Sequence, residues 1–180
     1  MNLRKTTVAF ALLMILVSSC SHSKRIARKS NQPTSAERVV GQANVQRKYA
    51  QILGVSDQEI MNIPLYQFVD RWYGVPYKFG GTTTNGIDCS GFTGALYKEV
   101  YGKSLPRSTV LIEQQATRVS GKTLEEGNLL FFDIEGKKNA HIGVYLQNGK
   151  FVHASSSKGV IISELSNPFY KKAYAWAGKI

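Results

Sequence analysis

The spacing of apolar residues changes period part-way along this chain, and that change restricts the fold more than any other feature. Leu65, Phe68, Val69 and Trp72 lie at i, i+3, i+4 and i+7, one face of a helix. Pro64 suits its first turn and Gly74 its end. Residues 37–53 form a second, loosely periodic helix, and Ser56 with Glu59 has capping-box spacing. Residues 75–88 form a loop rich in Gly and Thr. A helix is expected over 89–101, with Phe92, Ala95, Leu96 and Val100 inward and Gly102 as its stop, and another from Pro106 to about Arg118. From Leu129 onward the pattern belongs to strands: 129–132, then Ile142, Val144 and Leu146 in alternation with His141, Gly143 and Tyr145, then 151–154, 160–162 and 174–177. Helices first and strands second predict an α+β fold, with the N-terminal helices packed on an antiparallel sheet. No internal repeat is present.

The start of the chain is not part of that domain. Arg4 and Lys5 precede an apolar run over residues 8–17 that is too short to span a bilayer, and small residues lead to Cys20. This reads as a secretory signal over residues 1–19, with a retained membrane anchor as the alternative. Leu-Val-Ser-Ser-Cys at 16–20 resembles the lipobox of bacterial lipoproteins. The resemblance implies acylation of Cys20, removal of the signal, and stable anchoring through several acyl chains. Ser21, not Asp, follows the cysteine, which in enterobacterial lipoproteins favours the outer membrane, here facing the periplasm. Residues 20–36 then form a polar tether, and residues 37–180 the domain. The whole chain carries a formal charge of +11, and loss of residues 1–19 leaves 21 basic against 12 acidic side chains, or +9. Such a surface suits a polyanion. Export argues against nucleic acid and for wall polymers or headgroups. Lys24, Arg25, Arg28 and Lys29 either rest on headgroups or are simply solvated.

The chain has two cysteines and three histidines. With Cys20 and His22 in the export segment, the domain keeps one thiol, Cys89, and two imidazoles, His141 and His153. Cys first and His later is the order of a thiol nucleophile served by a base from a distant strand. Asp88 is a good N-cap, so Cys89 would open a helix whose unpaired N–H groups favour the thiolate and supply an oxyanion donor. Gly91 marks a close approach to the backbone. His141 would act as general base and as imidazolium partner of the thiolate, facing a cleft, with His153 fixing its tautomer. The blander reading is a capped helix with a buried thiol and two structural histidines. Register decides between them. A plain two-residue turn at Asn148-Gly149 pairs Val144 with His153 and puts the two histidines on opposite faces. The site requires an odd loop, such as a type I turn with Gly149 in a G1 bulge. No compact ligand spacing indicates a metal.

Five blocks in order then resemble the NlpC family of cell-wall cysteine peptidases, most closely its lipid-anchored murein endopeptidase branch. They are Gly74-Val75-Pro76-Tyr77-Lys78-Phe79-Gly80-Gly81, Gly86-Ile87-Asp88-Cys89-Ser90-Gly91-Phe92, Leu105-Pro106-Arg107-Ser108-Thr109, His141-Ile142-Gly143-Val144-Tyr145 and Phe151-Val152-His153-Ala154. The resemblance implies a papain-like α+β fold and hydrolysis of peptidoglycan stem peptides or cross-links. It implies Cys89 as nucleophile, His141 as base, His153 as third polar residue, a Tyr77 hydroxyl near the nucleophile, and Asp88, Ser90 and Arg107 lining or supporting the groove. No cofactor or metal is implied, and the expected state is a monomer. D-alanyl–diaminopimelate and γ-D-glutamyl–diaminopimelate bonds are both compatible. One departure is visible: the family's usual Gly-Asp-Leu reads Gly127-Asn128-Leu129 here. The segment over residues 133–140 also looks individual. Two rivals remain, an acyltransferase or transpeptidase on the same scaffold and a non-catalytic wall-binding lipoprotein.

Overall fold

The computed structural model describes residues 35–180. The signal over 1–19, the Cys20 acylation site and the tether to residue 34 lie outside the described residues. Helix α1 (Ser35–Leu53) starts slightly before the expected boundary at 37. Only its end docks: Tyr49, Ala50 and Leu53 are buried, while Val39 and Val40 stay exposed. Its weak periodicity has that consequence, since a helix without an apolar stripe has little to hold it along its length. The Ser56–Glu59 pair opens only a short 3-10 turn (Asp57–Glu59), in which the Glu59 carboxylate accepts from the Ser56 N–H and hydroxyl. Helix α2 (Ile63–Trp72) is capped by Asn62, whose side chain accepts from the Leu65 N–H at 3.3 Å. It ends before Gly74, which sits at φ 81°.

The Gly- and Thr-rich loop contains a small hairpin, β1 (Thr82–Thr83) with β2 (Gly86–Ile87). Helix α3 (Cys89–Tyr101) has the expected limits, with Asp88 as N-cap and Gly102 in the left-handed C-cap at φ 67°. The next helix is shorter than expected. Ser108 caps α4 (Thr109–Gln115), and residues 117–119 form strand β3 instead of a continuing helix. Thr117 and Val119 are β-branched, and Arg118 lies 4.2 Å from the Trp176 ring centre, so packing on the sheet edge wins over helix extension.

Strands β4 (Leu129–Ile134), β5 (Lys137–Tyr145), β6 (Lys150–Ser155), β7 (Gly159–Glu164) and β8 (Tyr174–Lys179) complete an antiparallel sheet in the order β3-β8-β4-β5-β6-β7. Helix α5 (Pro168–Ala173), which the sequence reading lacked, precedes β8. The α+β expectation therefore holds: helices lead and an antiparallel sheet follows. Alternation gives the sheet two apolar faces. Leu129, Phe131, Ile142, Val144, Val152 and Ala154 pack with Phe92 and Leu96 of α3 and with α2 in the main core. Leu130, Phe132, Phe151 and Ala177 form a second cluster with Ala173 of α5.

Two local features shape the middle of the sheet. Strand β5 begins four residues before His141, and its register against β4 shifts between Phe132 and Ile134. Asn139 takes a left-handed φ of 46° inside that irregularity. The second feature is the β5–β6 turn. Val144 faces Val152 and Tyr145 faces Phe151, one register step from the plain two-residue pairing. The Leu146 N–H donates to the Lys150 carbonyl at 2.9 Å, while the Lys150 N–H donates to the Gln147 carbonyl at 2.9 Å. Two residues thus oppose Lys150, as in a bulge. Asn148 and Gly149 both have positive φ, 49° and 70°. The odd loop is present, but the turn is of the primed kind and the bulge falls at Leu146-Gln147, not at Gly149.

Candidate active site

That register puts His141 and His153 on the same sheet face. His141 Nε2 lies 2.8 Å from His153 Nδ1, and the rings meet nearly edge-on at 87°. Neither ring opens broadly to a cleft as expected for His141. They face the second apolar cluster, 9% and 1% exposed respectively, with Phe132 beside His141 and Phe151 stacked on His153. His153 Nε2 in turn lies 3.0 Å from Ser163 Oγ and 3.2 Å from the Tyr170 hydroxyl.

Cys89 opens α3 and packs in the main core, on the other side of the sheet from the apolar cluster that the histidines face. Strands β5 and β6 pair at Val144–Val152 and Tyr145–Phe151. The Ile142 N–H donates toward Cys89 Sγ, which places the sulfur beside the residue that follows His141. Thr109 Oγ1, at the start of α4, lies 3.9 Å from the sulfur. Cys89 is 8% exposed yet lines a groove of about 320 Å³ with Tyr77, Phe79, Asp88, Thr109 and Ala140. The sulfur is recessed, not sealed. A wider hollow of about 790 Å³ between Met61, Glu126 and Asn148 holds no thiol or imidazole.

The N-terminus of α3 is fixed by a tight polar cluster. Asp88 Oδ1 accepts from the Gly91 N–H at 2.8 Å and from Arg107 at 2.7 Å, and Oδ2 accepts from the Gly80 N–H at 2.8 Å and from Arg107 at 2.9 Å. Arg107 also donates to the Ser90 hydroxyl and to the Gly81 carbonyl, both at 2.7 Å. Burial alone would raise the Asp88 carboxyl, but the bonds from Arg107, Gly91 and Gly80 outweigh it and hold it below its usual range. Gly91 has a visible reason: a Cβ there would sit 2.7 Å from the Gly81 carbonyl oxygen. Asp88, Ser90 and Arg107 therefore bond chiefly to one another while forming one wall of the groove. Tyr77 lies near both Cys89 and Asp88; burial first, then those neighbours, push its hydroxyl up.

The electrostatics differ from the expected ion pair. Burial pushes the Cys89 thiol up and the Asp88 charge adds to it, against smaller opposing contacts from Thr109, Ile142 and Ser90. Burial pushes His141 down to about 4, and burial with the adjacent His141 pushes His153 well below its ordinary range. Desolvation disfavours every charged form here, so burial favours the neutral thiol of Cys89 and the neutral imidazoles of His141 and His153. Among the described residues no cluster of His, Cys, Asp and Glu could hold a metal.

Asn128 lies away from the groove. Its Oδ1 accepts from the Glu125 N–H at 3.0 Å and its backbone accepts from the Tyr145 N–H at 2.8 Å, so it closes the turn into β4. Sequence reasoning assigned no role to Thr109, although it stood in a quoted block, nor to Ser163 and Tyr170. A lone hydroxyl in a strand or short helix gives no spacing signal.

Similarity to known proteins adds to this geometry. The NlpC/P60 family model matches residues 74–179. The murein DD-endopeptidase MepS/murein LD-carboxypeptidase of Escherichia coli (strain K12) is 44% identical over 114 residues, 63% of this chain and 60% of that protein. The match thus spans about 60% of the relative's length. The probable endopeptidase NlpC of the same strain is 33% identical over 175 residues, 95% of this chain and 99% of that protein. Among solved structures, an NlpC/P60 family protein from Bacillus cereus aligns with a TM-score of 0.60 at 30% identity, covering 66% of this chain and 40% of that one.

Proposed function

The chain belongs to the NlpC/P60 family, and from that premise we propose that it is a cysteine peptidase of the bacterial cell envelope that hydrolyses amide bonds in peptidoglycan peptides. The names of the two Escherichia coli relatives support the reaction class. The single observation that carries the residue assignment is the row formed by the groove-lining Cys89, the adjacent strand bearing His141, and His153 at 2.8 Å from it.

In this reading Cys89 is the nucleophile. His141 gives its Nε2 to His153, so Nδ1 is the nitrogen left to take the thiol proton as sulfur attacks the carbonyl carbon. The Cys89 N–H that opens α3 holds the developing oxyanion, with the Tyr77 hydroxyl as a second donor. The imidazolium of His141 protonates the leaving amine. Neutral again, it takes a proton from water, which attacks the thioester and frees the carboxylate. Charge separation is needed only once substrate has displaced water, so a resting neutral pair is compatible with the cycle. Asp88, Ser90 and Arg107 brace the groove wall. Residues 1–19 would direct export and Cys20 would carry the lipid that ties a monomeric domain to the outer membrane, facing the wall from the periplasmic side. Among the described residues no helix is long and apolar enough to cross a membrane.

Digestion of purified peptidoglycan with the full chain, read by mass spectrometry of the muropeptides, tests this reading and names the bond. Loss of cleavage in Cys89→Ala, by about 10⁶-fold and so below detection, is the expected result. Equal cleavage by that variant rejects the assignment. Wall binding without cleavage by the parent points instead to a binding lipoprotein.

A further inference from the structure

The two histidines do not end the polar row. His153 Nε2 meets two hydroxyls from different elements, Ser163 Oγ on β7 at 3.0 Å and Tyr170 on α5 at 3.2 Å. Tyr170 also lies within hydrogen-bonding reach of the Ser163 and Ser155 hydroxyls, and Ser155 Oγ lies 3.3 Å from Ser157 Oγ on the exposed β6–β7 turn. The row thus runs from His141 through His153 into a hydroxyl cluster that extends to Ser157 on an exposed turn.

Each link carries one proton, so the row has a direction. If His153 Nε2 carries its proton and donates it to a hydroxyl, then Nδ1 is an acceptor and His141 must donate from Nε2. His141 Nδ1 is then an unprotonated nitrogen with its lone pair free to take a proton. In the reverse direction His153 donates from Nδ1, His141 carries its proton on Nδ1, and that ring cannot take the thiol proton. The tautomer of the base is therefore decided at the far end of the row. His153 is 1% exposed, so no bulk water substitutes there.

We propose that Ser163 and Tyr170 are positioning residues: their hydroxyl oxygens accept from His153 Nε2–H and thereby fix the tautomer in which His141 Nδ1 is the free base. This rests on the peptidase reading for its catalytic consequence, but not for the tautomer itself. Either hydroxyl alone offers an acceptor, so each single variant is mild and the double variant is not additive. Being neutral, the pair orients the rings without the charge that an aspartate would bring to this buried face.

The test uses the whole chain with nitrogen-labelled histidine. Two-bond nitrogen–proton spectra near neutral pH should show both rings protonated at Nε2 in the parent. The variant combining Ser163→Ala with Tyr170→Phe should lose that single pattern and lower kcat about 10²-fold at little-changed KM, the low end of what a placed general base supplies. Ser163→Thr in the Tyr170→Phe background should restore both, whereas Ser163→Val of nearly equal shape should not. An unchanged ring pattern or an unchanged kcat in the double variant overturns the proposal. If the parent itself cleaves no peptidoglycan, the peptidase reading fails while the spectra still decide the tautomer.

Discussion

Burial favours the neutral forms of Cys89, His141 and His153, and the expected pH dependence follows from that. If His141 is the base, as proposed, it must be unprotonated to act, and burial moves its titration from 6.5 down to about 4. The acid limb of kcat/KM, which reports the free enzyme, is therefore expected near pH 4. A pH–rate profile falling at the ordinary imidazole value contradicts the burial argument. Alkylation of Cys89 should accelerate only on the alkaline side, since burial raises the thiol. A plateau of fast alkylation at neutral pH would show a resting thiolate instead. The residue types of this site were readable in the sequence: one thiol, two imidazoles, an aspartate at a cap. Their charge states were not. Helix-terminal position favours the thiolate, but the depth of Cys89 and His141 comes from packing, which residue spacing does not reveal.

Among the elements, β5 shows where sequence pattern succeeds and fails. Its alternation of Ile142 and Val144 was legible, because period two reads directly as two faces. Its true start at Lys137 was not, because Asn139 breaks the alternation with a left-handed φ of 46°. Its N–H donates to Asp133 at 2.7 Å and its side chain accepts from the Trp176 indole at 3.2 Å. Asn139 thus sets the backbone two residues before His141. Asn139→Gly keeps the conformation and should fold with a modest loss. Asn139→Val combines a β-branched side chain with that φ and is expected to cost about 1–3 kcal/mol. Urea unfolding of the two variants separates the cases, and equal stability contradicts the role given to this turn. Helix α5 was missed for a related reason: six residues, Pro168–Ala173, are too few to show a period. The limits of α3 were legible because both of its caps, Asp88 and Gly102, are written in the sequence.

For the whole molecule, buried histidines couple stability to pH. Above 6.5 His141 is neutral folded and unfolded, and its contribution is complete. Between 6.5 and about 4 the unfolded chain binds a proton that the folded one refuses, so stability falls as pH falls; below about 4 the loss levels off. That interval corresponds to about 3 kcal/mol for His141, and His153 shifts in the same direction. Unfolding free energies across this range should drop steeply for the parent and less steeply for His153→Asn. Identical slopes would mean the rings are not buried neutral. The division of the molecule, helices leading and sheet following, was plain from the change in hydrophobic period. The shared face of the two histidines was not, because it depends on the one-residue bulge at Leu146-Gln147, which shifts the β5–β6 register.

If Cys89 passes a peptide acyl group to water, digestion of muropeptides in heavy-oxygen water leaves its mark on the mass of the products. A heavy oxygen is expected in each newly freed carboxyl group, dependent on Cys89 and absent in Cys89→Ala. Products joined to an added amine without heavy oxygen, or labelled products formed equally fast by Cys89→Ala, would contradict it.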